Sequence, residues 1–320
     1  MKYKLTTGLV LLVLLAAVVC AQKKTSGDPN KFAVILVGAG GEPEYAQQFE
    51  QWTKDLKSIL SDDFAFDARK MLVVQNAKAA DVRNTFAQLK PQMDANNVLF
   101  VFFIGHGSFD GKESKFNLVG PDIAASEYNT LLSSLPTKRV VVFNMASASG
   151  EFVKSLSAKG RIVITATKSG QETNATRFPG FFIAALKSPD ADTDQDGHTS
   201  VLEAFVYANR LTADFYTRAG RLATEHALLD DNGDGVGREK AEAGEGMLAR
   251  ATYLDSLSID EAAATAATGR LLKERTRLEG EIEQLIARKR TLPETEYEST
   301  LEKLFIELAK VNRSIKQAGT

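Results

Sequence analysis

Val98-Leu99-Phe100-Val101-Phe102-Phe103-Ile104, followed by Gly105-His106-Gly107-Ser108, decides the fold. Seven consecutive apolar residues, three of them phenylalanine, form too short a run for a helix to be the natural reading. They predict a strand buried on both faces. A histidine between two glycines then stands where that strand ends. A second unit of this kind follows: Arg139-Val140-Val141-Val142-Phe143 runs into Asn144-Met145-Ala146-Ser147-Ala148-Ser149-Gly150. In an open parallel sheet, ligands and chemistry collect at the carboxyl ends of strands. His106 and Ser147 are therefore the first candidates for function.

Outward from these strands, the chain alternates. Phe32 to Val37 is a strand closed by Gly38-Ala39-Gly40-Gly41, and Tyr45 to Leu60 carries Phe49, Trp52, Leu56 and Ile59 near helical spacing. The glycines lack the spacing and the lysine of a nucleotide loop, so they read as a tight turn. Met71 to Val74 predicts a strand and Ala79 to Leu89 a helix stopped by Pro91. Asp110-Gly111 and Asn117 to Pro121 read as exposed loop. Helices are expected over Glu127 to Leu135, Gly150 to Leu156, Phe178 to Leu186 and Val201 to Thr217, with a strand over Arg161 to Ala166. Apolar strands alternating with helices predict an α/β fold of three layers, α/β/α, around a mostly parallel sheet.

The sharpest local motif is acidic. Asp192, Asp194, Asp196, Ser200 and Glu203 occupy positions 1, 3, 5, 9 and 12 of a loop with Gly197 at position 6. That is the spacing of an EF-hand calcium loop, with the His198 backbone carbonyl at position 7. A hard cation needs six or seven oxygens, and a sharp glycine turn lets one short loop supply them. The blander reading is a solvated acidic turn that caps a helix at Ser200. A second version, 230–235, offers Asp230, Asn232 and Asp234 with Gly235 at position 6, but Ala241 at position 12. Calcium is thus the expected ion at both loops. His106, His198 and His226 are scattered without a short-spaced pair, which argues against zinc.

The two ends differ from this body. Met1-Lys2-Tyr3-Lys4 is basic, Leu9 to Val19 is apolar, and Val19-Cys20-Ala21 offers small residues before Gln22. Residues 1–21 thus predict a secretory signal cleaved after Ala21, with 22–30 as a linker. The protein is then expected to be secreted or periplasmic. The alternative is a membrane-anchored lipoprotein, lipidated at Cys20. Cys20 is the single cysteine, so on either reading no thiol nucleophile, disulfide or thiolate ligand remains.

The α/β domain is expected over 31–245 and a helical, coiled-coil-like extension over 246–320. Leu271, Leu278, Leu285 and Leu292 recur every seven residues. After Pro293, the residues Tyr297, Leu301, Leu304, Leu308, Val311 and Ile315 follow in alternating steps of four and three. Two helices with one apolar stripe each predict a hairpin that leans on the domain or self-associates through 271–315. A net charge of -2, with balanced charges in this segment, gives no footing for nucleic acid.

A strand ending in His-Gly, followed by a strand that ends in a small-residue box before a helix, resembles the caspase/legumain superfamily. Within it, the legumain-like peptidases are the nearer match. The resemblance spans residues 31 to about 186. It implies a caspase-like scaffold, with His106 on the family's catalytic histidine and Ser147 on its cysteine. It also places Thr167-Lys168-Ser169-Gly170 along the substrate cleft. In that family an asparagine near the end of the first strand orients the histidine; the corresponding place here is Gly40.

With serine replacing cysteine, the expected function is a secreted pseudopeptidase. It would bind a peptide or protein partner without cutting it and be stabilised by calcium. The alternatives are a serine-dependent hydrolase that uses Ser147 with His106 as base, and a structural envelope protein. A serine hydroxyl is a weak nucleophile without a well-placed base, and the residues around Ser147 do not form a Gly-x-Ser-x-Gly elbow.

Overall fold

A computed structural model describes residues 30–195, 197–241, 245–255, 270–271, 274–275, 277–278, 281–282, 284–285, 288–289 and 292–318. The expected signal segment, Cys20 and Asp196 lie outside the described residues.

Six strands form the main sheet, in the spatial order β2-β1-β3-β7-β8-β9. They are β1 (Lys31–Val37), β2 (Met71–Val74), β3 (Val98–Ile104), β7 (Arg139–Asn144), β8 (Arg161–Thr165) and β9 (Leu228–Asp230). All pairings are parallel except that of β9, which runs antiparallel to β8. The register pairs Val101 of β3 with Val34 on one side and Val142 on the other.

Side chains on a strand alternate between faces, and here both faces are buried. Ala33, Ile35, Phe100, Phe102, Val141, Phe143, Ile162 and Ile164 point one way. They meet Phe49 and Leu56 of α1 (Pro43–Ser58), Phe178 and Phe182 of α5 (Phe178–Ala185), and Phe205 and Ala208 of α6 (Val201–Arg218). Phe32, Val34, Leu99, Val101, Phe103, Val140, Val142 and Val163 point the other way. They meet Val82 and Phe86 of α2 (Ala79–Leu89), Tyr128 and Leu132 of α3 (Ala125–Ser133), and Phe152 and Leu156 of α4 (Glu151–Leu156). The result is the expected three-layer α/β/α arrangement. At the centre of one layer, Phe102 and Phe143 stack with ring centroids 4.8 Å apart.

Two parts were not legible in the sequence. The loops at Asp110-Gly111 and Asn117 to Pro121 stand where expected, but the residues around them form a small antiparallel sheet of β4 (Gly107–Phe109), β5 (Ser114–Phe116) and β6 (Ile123–Ala124). The edge strand β9 lies within the region between α6 and the second acidic loop. Each of these strands is two or three residues long, too short for a repeat of two to stand out.

The globular body also runs past residue 245. α7 (Met247–Arg250) and the turn after it bury Ala249, Tyr253 and Leu254. The Lys31 ammonium, fully buried at the start of β1, donates to the carbonyls of Leu254 (2.9 Å) and Asp255. Beyond it, the described positions of 270–289 are largely helical and bury Leu278, Ile282 and Leu285. α8 (Glu294–Ala318) buries Tyr297 and Ile315 and half-buries Leu301, Leu304, Leu308 and Val311. That is the stripe expected from its spacing. Ile282, Phe305 and Leu308 share a cavity of about 760 Å³ with Val206 and Ala213 of α6, so the extension leans on the domain.

Phe102→Ala should lower the unfolding free energy measured in urea by about 3–5 kcal/mol. Val206→Ala, about half-exposed on α6, should change it by less than about 0.5 kcal/mol. Equal losses at the two positions would contradict this layering.

Candidate functional site at the strand ends

From β1 the chain steps outward to β2, and from β3 it steps to β7 on the other side. A crevice opens at such a switch point, outside the carboxyl ends of β1 and β3. The turns that line it are Gly38 to Gly41 and Gly105 to Gly107. Both are held to β5 and its continuation. Ala39 N–H donates to the Asn117 carbonyl at 3.1 Å, and Asn117 N–H donates to the His106 carbonyl at 3.0 Å.

His106 is half-buried against α1. Its ring meets Tyr45 edge-on at 4.9 Å and Phe49 at 5.1 Å. A ring N–H donates to the Gly40 carbonyl. Position 40 therefore holds the histidine through its backbone. A side chain there is excluded, since a Cβ would lie 2.7 Å from Ala46 Cα and Cβ. Burial pulls the His106 pKa below its ordinary value, against smaller upward pulls from the Gly40 bond and from Glu42. The neutral ring keeps its second nitrogen as an acceptor.

Ser147 lies at the end of β7 and is 2% exposed. Its Oγ accepts from Gly107 N–H at 3.1 Å and faces the Gly107 carbonyl at 3.3 Å. Among the described residues, no hydrogen bond joins it to His106. The approach is close enough to require glycine: a Cβ on residue 107 would sit 2.2 Å from the Ser147 carbonyl oxygen. The His106 strand end and the serine box are thus clasped backbone to backbone, with the hydroxyl turned into the clasp.

The rest of the box is fixed from three sides. Ala148 takes the left-handed conformation at φ 51, a strain of about 1–3 kcal/mol for a residue with a side chain. Its N–H donates to the Glu172 carbonyl at 2.7 Å, and its carbonyl accepts from Ser114 Oγ at 2.6 Å. Ser149 and Gly150 both donate their N–H groups to Thr167 Oγ1, at 2.8 and 3.1 Å. Asn117 Oδ1 and Asn144 Nδ2, both on segments that build this region, are buried without a partner among the described residues. Orphaned polar atoms of that kind are uncommon and cluster where a ligand or ordered water completes the structure.

Sequence reasoning missed Glu172. Its carboxylate accepts from Lys168 N–H at 2.9 Å and His226 N–H at 3.1 Å, and it pairs with His226 Nδ1. His226 thereby ties the 167–172 loop to the segment before β9. No local pattern announces this contact, because its partners stand 54 residues apart.

The acidic loops lie elsewhere, beside α6. In the first, carboxylate oxygens of Asp192, Asp194 and Glu203 fall within 4.8 Å of one another. Asp192 Oδ2 accepts from Gly197 N–H at 2.9 Å, closing the turn. Glu203 Oε1 accepts from Thr193 N–H and Oγ1, both at 2.8 Å, and Oε2 accepts from Ser200 N–H at 2.9 Å. Ser200 Oγ in turn accepts from Glu203 N–H at 3.2 Å, a capping box at the start of α6. Ser200 therefore serves as the helix cap. The His198 side chain pairs with Asp255, which leaves only its carbonyl for the loop.

In the second loop, Asp230 and Asp234 are joined by Glu245, and their carboxylate oxygens again fall within 4.8 Å. Asn232 presents its Nδ2 to Asp234 and Glu245 at 3.3 and 3.2 Å, so it enters the cluster as a donor. Burial, reinforced by Asp231, pushes the Glu245 carboxyl up to about 7. Hydrogen bonding from Arg238 and Val236 holds Asp234 down at about 2.

The His106 ring should titrate by NMR below its ordinary value of 6.5. The unfolded ring then binds its proton more readily than the folded one. Stability is therefore full above 6.5 and is lost as the pH falls through the folded pKa. A midpoint above 6.5 would show that Gly40 and Glu42 outweigh burial.

The chain matches no family model and no curated protein. Among solved structures it is similar to protein GSU0716 from Geobacter sulfurreducens. The identity is 14% and the TM-score 0.45, over 63% of this chain and 93% of that one. At that level the likeness carries no reading of activity. Among the described residues, no helix is long and apolar enough to cross a membrane.

Proposed function

We propose that this chain is an exported pseudopeptidase of caspase/legumain type, a module that binds an extended peptide or a protein partner without cutting it. The observation that carries the reading is the Ser147 hydroxyl. It is buried and bonded to Gly107, while the neutral His106 ring is held by Gly40 and two aromatic rings. General-base catalysis needs the base within hydrogen-bond reach of the hydroxyl it activates. The crevice between β1 and β3, with the 167–172 loop beside it, is the expected peptide seat. Calcium is proposed at the first acidic loop, where oxygen ligands converge at EF-hand spacing. Self-association through 271–315 is a second proposed role of the extension.

The test is intact-mass analysis of residues 22–320 after exposure to a fluorophosphonate, followed by peptide mapping. No adduct at Ser147 is expected. Stoichiometric labelling at Ser147 that disappears in His106→Ala would overturn the reading in favour of a serine hydrolase. Extended peptides selected by display should lose binding about tenfold in Lys168→Glu, a change of about 1.4 kcal/mol.

Calcium at a hundred times its dissociation constant should stabilise the fold by about 2.7 kcal/mol. That corresponds to roughly 5–10 °C in Tm for a domain of this size. Glu203→Gln keeps a capping-box residue at that position but removes the charge, and should abolish the gain. An unchanged calcium response would exclude the first loop as the site.

A further inference from the structure

We infer that Asp230, Asp234 and Glu245 form a second divalent-cation site, completed by Glu245 from outside the loop and bridged by Arg238 until an ion displaces its guanidinium. The inference rests on the calcium part of the proposed function, but its ligands are its own.

The loop 230–235 has no carboxylate at the position where an EF-hand loop places its last ligand, since that residue is Ala241. Glu245, fully buried, takes that place in space. It is fixed by Asp231 N–H, which donates to Glu245 Oε1 at 2.5 Å. Asp231 in turn accepts from Gly246 and Ala249 N–H at 2.8 and 2.7 Å. The start of α7 is thereby pinned to the loop, and Glu245 is held over the cluster.

The orphaned atom in this cluster points to a ligand. Asp230 is fully buried. Its Oδ1 accepts from Gly233 N–H at 3.0 Å, and among the described residues its Oδ2 has no partner. A buried carboxylate oxygen left unpaired is costly. The neighbouring carboxylates of Asp234 and Glu245 are acceptors too, so a cation suits the cluster best. Arg238 joins two of them. Its guanidinium bonds Asp234 Oδ2 at 2.7 Å and pairs with Glu245 Oε2. Among the described residues, it makes no bond to Asp230. One guanidinium stands against three carboxyl groups and leaves the Asp230 oxygen outside its reach. A hard dication, which takes several carboxylate and carbonyl oxygens at once, meets both the charge and the orphaned oxygen.

Calcium titration calorimetry of residues 22–320 counts the sites. The wild type should bind two ions, Glu245→Gln one, Glu203→Gln one, and the double variant none. Asp234→Asn, at a more exposed ligand, should repeat the Glu245→Gln result and guards against misfolding at a buried position. Arg238→Met should tighten the second site by removing the cation that competes for Asp234 and Glu245. Two sites retained in both Glu245→Gln and Asp234→Asn would overturn the inference. A single wild-type site lost only in Glu203→Gln would also overturn it while sparing the first loop. A single site lost only in Glu245→Gln would uphold it and remove the first.

Discussion

The central strand β3 has no solvent face. All seven of its residues are buried and covered by helices above and below; all seven pair with β1 on one side and six with β7 on the other. A strand enclosed in this way spends every side chain on packing, so polar function is forced to its ends. The carboxyl end delivers His106 into the crevice at the switch point, and the neighbouring β7 delivers Ser147 beside it. The sheet positions these residues; the clasp between Gly107 and Ser147 then sets what they can do. Because that clasp consumes the hydroxyl, the geometry favours a rigid floor for a ligand over a reactive pair.

This part of the molecule was largely legible. A short apolar run of four to eight residues bounded by turn signals reads as a covered strand, so β1, β3, β7 and β8 stand close to where their sequences place them. The expected helices are offset by about a turn or less at their ends, because tertiary contacts and local turns decide where a helix stops. The short strands β4 to β6 and β9 were not legible, since two or three residues carry no period. The orienting contact of His106 was hidden for a different reason. It comes from the Gly40 backbone, and a carbonyl has no residue type to read.

The acidic loops show the same division. Asp192, Asp194, Gly197, Ser200 and Glu203 announce themselves because their geometry is local. Glu245 does not, because it reaches Asp230 only after the chain has left the loop and returned. The segment 245–255 makes several such returns. It reaches the second loop through Glu245 and Asp231. It reaches the first through Thr252, whose carbonyl accepts from Val201 N–H at 2.8 Å, and through Asp255, which pairs with His198. One short strap therefore braces both acidic loops and packs against α6 and the amino ends of the central strands.

The buried Lys31 ammonium has a bearing on how the chain is made. It belongs to the first strand, yet it takes two of its acceptors from residues 254 and 255. A desolvated ammonium without acceptors is strongly unfavourable. During synthesis β1 emerges early and β3 can pair with it, but the amino end of β1 cannot close until the strap has left the ribosome. At about 5–20 residues per second, more than two hundred intervening residues impose a delay of ten seconds or longer. Throughout that interval the most apolar sheet in the protein has one end unsealed. On the export proposed above, such a delay keeps the chain threadable, because a protein that cannot finish folding early has not yet closed its sheet.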